Sequence, residues 1–436
     1  MMSTLAPPRT RPRSTFPIFL LCWLALVSDG FDLYVYGATL PGFLGPENWG
    51  VTPPQAGLVG SFALVGMLIG SLVAGMLSDR IGRRRMLAAS VACFAVFMLA
   101  CALAPDFAWF AVFRFLACLG IGGLLPVAVS MANEFASPAR KSIVVGAVLT
   151  GPAVGTVIAS FASLSLLPSA GVRPVYAIGG VSLLLIPFLL KALPESPTFL
   201  RAHGRDAEAA ELAARYGLPE TSATTRAISV ADTASSSRRR VAALFARGYA
   251  LPTVGMWALC LISLLTIFGL TTWLPQVMRD SGYGTEASIA FLLWYSLGAI
   301  VGTVVASFVG QSTSPKLVVV VGFVAAALAL GAVALGLSGA ALVAAVVVAG
   351  FGGLGTQNML NDHIAQFYPG EVRATGLGWA LAVGRIGAIA GPTYGALLIG
   401  SGGSITGAAL AFGIPAALGA VLAIALPARR KAALPA

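Results

Sequence analysis

Between two long apolar runs the chain reads Gly75-Met76-Leu77-Ser78-Asp79-Arg80-Ile81-Gly82-Arg83-Arg84-Arg85. Apolar residues continue for about 20 positions on either side, the length a helix needs to cross a bilayer. The short charged stretch therefore reads as a loop between two spanning helices. The rest of the chain repeats that grammar. Of 436 residues, 58% are hydrophobic and 10% charged, against about 25% charged in soluble domains. A soluble fold could not cover its surface with this composition, and 51 glycines suit closely packed membrane helices.

Breaking the sequence at its charged and Pro/Gly-rich joints gives twelve apolar runs, centred near Asp29, Gly66, Phe94, Gly120, Ala153, Ser182, Ser263, Gly298, Ala326, Gly350, Arg385 and Ile414. The expected fold class is an all-α membrane protein of twelve transmembrane helices in two six-helix halves. Its parts are a tail (1–15), a first bundle (16–193), a central loop (194–248), a second bundle (249–427) and a tail (428–436). The central loop holds a short amphipathic stretch, Asp206 to Tyr216, and then a Ser/Thr/Ala/Arg linker of flexible composition. Arg9, Arg11 and Arg13 precede an apolar run as in a signal peptide, but that run continues to Leu44 without a small-residue cleavage site, so it is expected to stay as a helix.

With the N-terminus placed in the cytoplasm, 23 of the 27 Lys and Arg residues fall on the cytoplasmic side. This satisfies the positive-inside rule and puts both termini there. Topology thus accounts for the net charge of +11, and no nucleic-acid partner is needed. Cys22, Cys93, Cys101, Cys118 and Cys260 lie in apolar stretches without a CxxC pair, and the two histidines, His203 and His363, are far apart. The cysteines read as helix-packing residues, and no metal site or cofactor is expected. Without a Ser/His/Asp constellation or a phosphate-binding glycine loop, an enzyme is not expected either.

The Gly75–Arg85 stretch resembles the signature loop of the major facilitator superfamily. The resemblance implies a latch in which Asp79, Arg80 and Arg83 gate, joined by Glu134 and Arg140 at the next cytoplasmic turn. The matching second-half loop, Val309 to Lys316, lacks the acid and most of the arginines. Within the superfamily, Asp29-Gly30-Phe31-Asp32, the Trp273-Leu274-Pro275 exit of the seventh run and the stretch Tyr368 to Pro392 are similar to the aromatic acid:proton symporter family. Pro194-Glu195-Ser196-Pro197 is shared with sugar and metabolite porters. Gly151-Pro152 and Gly391-Pro392, each followed by another glycine, sit in equivalent runs of the two halves and lend weak support to duplication. One departure is that Gly146 to Thr156 looks close to the Gly-Pro motif of drug:proton antiporters, which keeps efflux open as the alternative.

Charges inside a span cost about 2.5 to 3.5 kcal/mol on insertion scales, so each requires a reason. Asp29 and Asp32 share a helix face near the membrane midplane. Repulsion between them favours keeping one protonated, which makes both proton-coupling candidates, Asp32 slightly preferred; alternatively one is a fixed partner for an arginine. Arg385 and Arg114 offer planar donors for a substrate carboxylate, or else neutralise the two aspartates. Phe31, Tyr34 and Trp379 are candidate ring contacts, and Asn133, Gln276, Gln357 and Asn358 are candidates for ring hydroxyls. His363 reads as an interfacial anchor, with proton acceptance as the other possibility. Together with the resemblance, these imply a multi-pass carrier in the bilayer of the bacterial inner membrane that imports a small aromatic carboxylate with protons, and the resemblance implies a monomer.

Overall fold

The computed structural model describes residues 14–44, 49–137, 140–218, 240–246, 248–399 and 404–427. Arg9, Arg11, Arg13, Arg429, Arg430, Lys431 and the linker at 219–239 lie outside the described residues. Twelve helices are long and apolar enough to span a membrane. They are α1 (Phe16–Phe43), α2 (Pro53–Ile81), α3 (Arg83–Ala102), α4 (Phe107–Phe135), α5 (Ile143–Ala170), α6 (Val172–Ala192), α7 (Ala250–Asp280), α8 (Thr285–Gly310), α9 (Pro315–Ala334), α10 (Gly339–Phe367), α11 (Gly370–Ile399) and α12 (Ile405–Ala425).

Their starts follow local chemistry. Asp106 accepts a hydrogen bond from the Trp109 amide at α4, Ser314 from Leu317 at α9 and Ser404 from Gly407 at α12, each satisfying an amide that the helix leaves unpaired. Four spans are interrupted, α6 by a 3-10 segment at Gly180–Leu185. α4 is divided at Gly123, α5 at Leu149-Thr150 just before Gly151-Pro152, and α10 at Gly352-Gly353. By contrast α1, α2, α7 and α11 run unbroken for 28 to 31 residues.

The packing repeats itself with a step of six helices. α1 lies along α5 as α7 lies along α11, α2 along α4 as α8 along α10, and α3 against α6 as α9 against α12. Between the halves, α2 meets α11, α5 meets α8, and α1 meets α7, contacts that a two-fold rotation exchanges. Both Gly-Pro-bearing helices therefore hold the same place, against the first helix of their own half. Small residues make this close approach possible: a side chain at Gly155 would run into the Val27 carbonyl, and one at Gly387 into that of Leu261.

The central segment is anchored rather than free where it is described. Helices Pro197–Ala202 and Asp206–Tyr216 follow α6, Ala209 and Ala213 are buried, and the Tyr216 ring meets Phe135 of α4 edge-on at 5.5 Å.

Candidate transport site

The bundle end that carries Arg80 to Arg85 is its basic end. α1 brings two carboxylates into the bundle, and their surroundings differ. Asp32 is 1% exposed and forms an ion pair with Arg114 of α4, itself 3% exposed. Arg114 Nη2 also donates to the Asp32 carbonyl at 2.7 Å, and Cys118 Sγ donates to Asp32 Oδ2 at 3.2 Å. The Arg114 guanidinium lies 6.0 Å from the Tyr36 ring centroid, within cation–π range. Asp32 is thus held on several sides, and both groups are occupied with each other.

Asp29 is 3% exposed and its Oδ1 has no hydrogen-bond partner among the described residues. The charges it feels are Asp32 on its own helix and Arg385 of α11 across the interface between the halves. Arg385 forms no ion pair among the described residues; its Nη1 lies 3.7 Å from Met67 Sδ of α2. Asp29 and Arg385 are therefore close enough to interact electrostatically, with no ion pair between them among the described residues.

A cavity of about 1200 Å³ separates the halves. It is walled by α1 (Leu33, Tyr34), α5, α7, α8 and α10 and reaches Lys141, Ser307 and Asp362 toward the basic end. At the opposite end the halves are closed. Gly37 of α1 sits against the Thr271 carbonyl of α7 so tightly that a methyl group would not fit, Arg279 donates to the Pro41 carbonyl, and Ser61 of α2 meets Thr393 of α11 at 2.7 Å. The bundle is open at the basic end and shut at the other.

The predicted ring contacts divide. Tyr34 lines the cavity, whereas Phe31 is buried at 4% exposure and is not part of the lining, and Trp379 is 44% exposed and stacked on Trp257 at 5.7 Å. Arg114 and Arg385 lie outside the cavity lining. Of the four amides, Asn133 and Asn358 line it, while Gln276 donates to Asp280 at 2.7 Å and Gln357 to Asn361 at 3.0 Å. His363, read as an interfacial anchor, is instead buried at 3% exposure with Nε2 unpartnered.

At the basic end, Arg83 at the start of α3 pairs with Glu134 at the end of α4. Asp79, Arg80 and Arg140 are exposed and form no ion pair among the described residues. The residue that sequence reading left without a role is Glu195. Its carboxylate accepts from the Arg84 amide at 3.1 Å and the Ser196 amide at 3.0 Å, placing negative charge at the N-terminus of α3, where the helix dipole favours it. Gly82, with φ +95°, leaves room for that carboxylate, which a side chain would strike. An acid set between two prolines directly after α6, at the same membrane face as the arginine loop, was the available signal.

The comparisons agree with this architecture. The Major Facilitator Superfamily pattern matches residues 22–311. The chain is 30% identical over 420 residues to the benzoate transport protein of Acinetobacter baylyi, covering 95% of this chain and 90% of that one. It is 32% identical to the gallate transporter of Pseudomonas putida, covering 96% and 93%, and 32% to the 4-hydroxybenzoate transporter PcaK of the same species, covering 94% and 92%. A crystal structure of a D-xylose-proton symporter superposes with a TM-score of 0.75 at 18% identity, covering 95% of this chain and 99% of that one, a likeness of fold. That is a superfamily of transporters and not of enzymes. With a match reaching into both halves, and relatives followed over nearly its whole length, the chain belongs to the Major Facilitator Superfamily.

Proposed function

We propose that this transporter imports a small aromatic carboxylate, of benzoate or hydroxybenzoate type, together with one or more protons. The named relatives above support the substrate class. The observation that carries the mechanism is the unequal state of the two aspartates: Arg114 is already engaged by Asp32, while Asp29 is buried without a partner opposite Arg385. Asp29 is then the proton carrier, Asp32 a fixed structural anion, and Arg385 the cation reserved for the substrate carboxylate. Protonating Asp29 removes the charge that competes for Arg385, so substrate and proton load together. The halves rock to expose the cavity alternately, and the state described opens inward, with the basic end and both termini in the cytoplasm of a bacterial cell and the monomer as the working unit.

Efflux rested on the Gly146 to Thr156 motif. In the fold Gly151 and Gly155 are where α5 closes on Trp23 and Val27 of α1, so helix packing accounts for those glycines, and the named relatives do not favour a drug antiporter. The test is uptake of labelled 4-hydroxybenzoate into proteoliposomes under an imposed inward proton gradient. Accumulation should vanish in Arg385→Ala. In Asp29→Asn it should be replaced by exchange that ignores the gradient. Gradient-driven accumulation by Asp29→Asn at the parental level would defeat the assignment.

A further inference from the structure

Two charges at the mouth of the cavity are left unused by the transport reading. Among the described lining residues the one cation is Lys141, which opens the helix piece Lys141–Val148 leading into α5, and the one anion is Asp362, on the piece Leu354–Phe367 of α10. They stand on opposite halves, both exposed, and neither forms an ion pair among the described residues. Every other residue of the wall is uncharged.

Shutting this mouth takes contacts that cross from one half to the other, and the neighbouring charges are spent elsewhere. Arg83 pairs with Glu134 inside the first half. Lys316 of α9 donates to the Ile424 carbonyl of α12 at 3.1 Å, inside the second. Glu195 accepts from the Arg84 and Ser196 amides, and Asp79 and Arg80 stand at the end of α2, outside the cavity lining. The far end shows the form such a seal takes: a cation of one half, Arg279 of α7, holds a carbonyl of the other, that of Pro41 in α1. At the basic end the matching elements are Lys141 and Asp362. A single charge closed into an otherwise uncharged wall loses its hydration without recompense and resists closure, whereas opposite charges brought together replace that hydration with each other. We infer that Lys141 and Asp362 form the ion pair that holds the basic end shut when the carrier faces the other way. The pair needs the rocking of the halves proposed above and is independent of which solute is carried.

The test labels the full-length protein in oriented membrane vesicles with an impermeant maleimide. Ser307→Cys reports the basic end and, in a separate protein, Ser61→Cys reports the far end, each rate corrected for the parent's own five cysteines. The ratio of far-end to basic-end rate follows the balance between the two states. Lys141→Gln and Asp362→Asn should each lower that ratio about fivefold, the upper range for a partly solvated pair. Exchanging the charges, Lys141→Asp with Asp362→Lys, should restore it. Single variants that leave the ratio within about twofold of the parent overturn the inference while the rocking stands, and so does an exchange that restores nothing. A Ser61→Cys that reacts in no protein, while Ser307→Cys reacts in all, overturns the rocking and the pair with it. Carbodiimide cross-linking of the unmodified protein decides the matter even if a variant fails to fold. It joins a carboxylate to an amine in contact with loss of water, so an amide between Lys141 Nζ and the Asp362 side chain is expected in the digest. Asp362 joined to another lysine, or to none, overturns the inference.

Discussion

Replacing Arg114 by leucine tests the division of labour between the two aspartates. Asp32 is 1% exposed, and the substitution removes the cation it pairs with together with the hydrogen bond to its backbone carbonyl, leaving the Cys118 thiol as the remaining donor to its side chain among the described residues. Breaking a buried pair from one side costs about 3 to 5 kcal/mol, because the surviving charge must stay unpaired or be neutralised. Asp32→Asn strands Arg114 in the same way and should cost a similar amount. Combining Asp32→Asn with Arg114→Leu strands nothing: a neutral amide then faces an apolar side chain, so the loss should fall well short of the sum, leaving a coupling energy of about 2 kcal/mol or more. Unfolding of the purified protein by denaturant in mixed micelles, followed by tryptophan fluorescence, gives the four corners of the cycle. If the double variant loses the sum of the two singles to within about 0.5 kcal/mol, the pair is not a coupled unit and the structural role assigned to Asp32 fails.

Other expectations follow from single contacts. A methyl group at Gly37 collides with the Thr271 backbone where the halves touch with the basic end open, so Gly37→Ala should depopulate that state; Ser307→Cys would then react more slowly with an impermeant maleimide from the basic side. Gly82→Ala combines an extended positive-φ backbone (φ 95°, ψ 152°) with a collision with Glu195, and that backbone alone costs a non-glycine residue about 1 to 3 kcal/mol, readable as a lowered unfolding midpoint that Glu195→Ala partly relieves. Trp379 stacks on Trp257 away from the cavity, so Trp379→Ala should leave 4-hydroxybenzoate binding within about twofold of the parent. Tyr34→Ala, which strips a ring from the wall, should weaken it measurably in the same titration.

The twelve spans were readable because a membrane helix announces itself: it must be apolar along its whole length, whichever neighbours it has. The four charged residues at depth, Asp29, Asp32, Arg114 and Arg385, were equally visible, since each violates that rule. Which of them pair was not. Three residues of helix turn a side chain by about 300°, so Asp29 and Asp32 point about 60° apart, and that angle suffices to aim one at Arg114 and the other toward Arg385. The same uncertainty of rotation hid which aromatic residues of α1 see the cavity: Tyr34 does, while Phe31 is buried outside the lining. In Gln276 and Gln357, amides that suggested ring recognition are spent on Asp280 and Asn361 one turn along, a use that the i, i+4 spacing permits without requiring.

The interruptions in α4, α5 and α10 divide the bundle mechanically. Beyond each break, toward the cavity mouth, lies a short piece of helix: Leu124–Phe135, Lys141–Val148 and Leu354–Phe367. These pieces carry Asn133, Lys141, Asn358 and Asp362 of the cavity lining, while α1, α2, α7 and α11 continue past them as unbroken posts. A break in the backbone ladder is where a helix bends most readily. The mouth is therefore lined in large part by three short helix pieces, each set off from the rest of its span by a break, beside spans whose backbone ladder runs on without one.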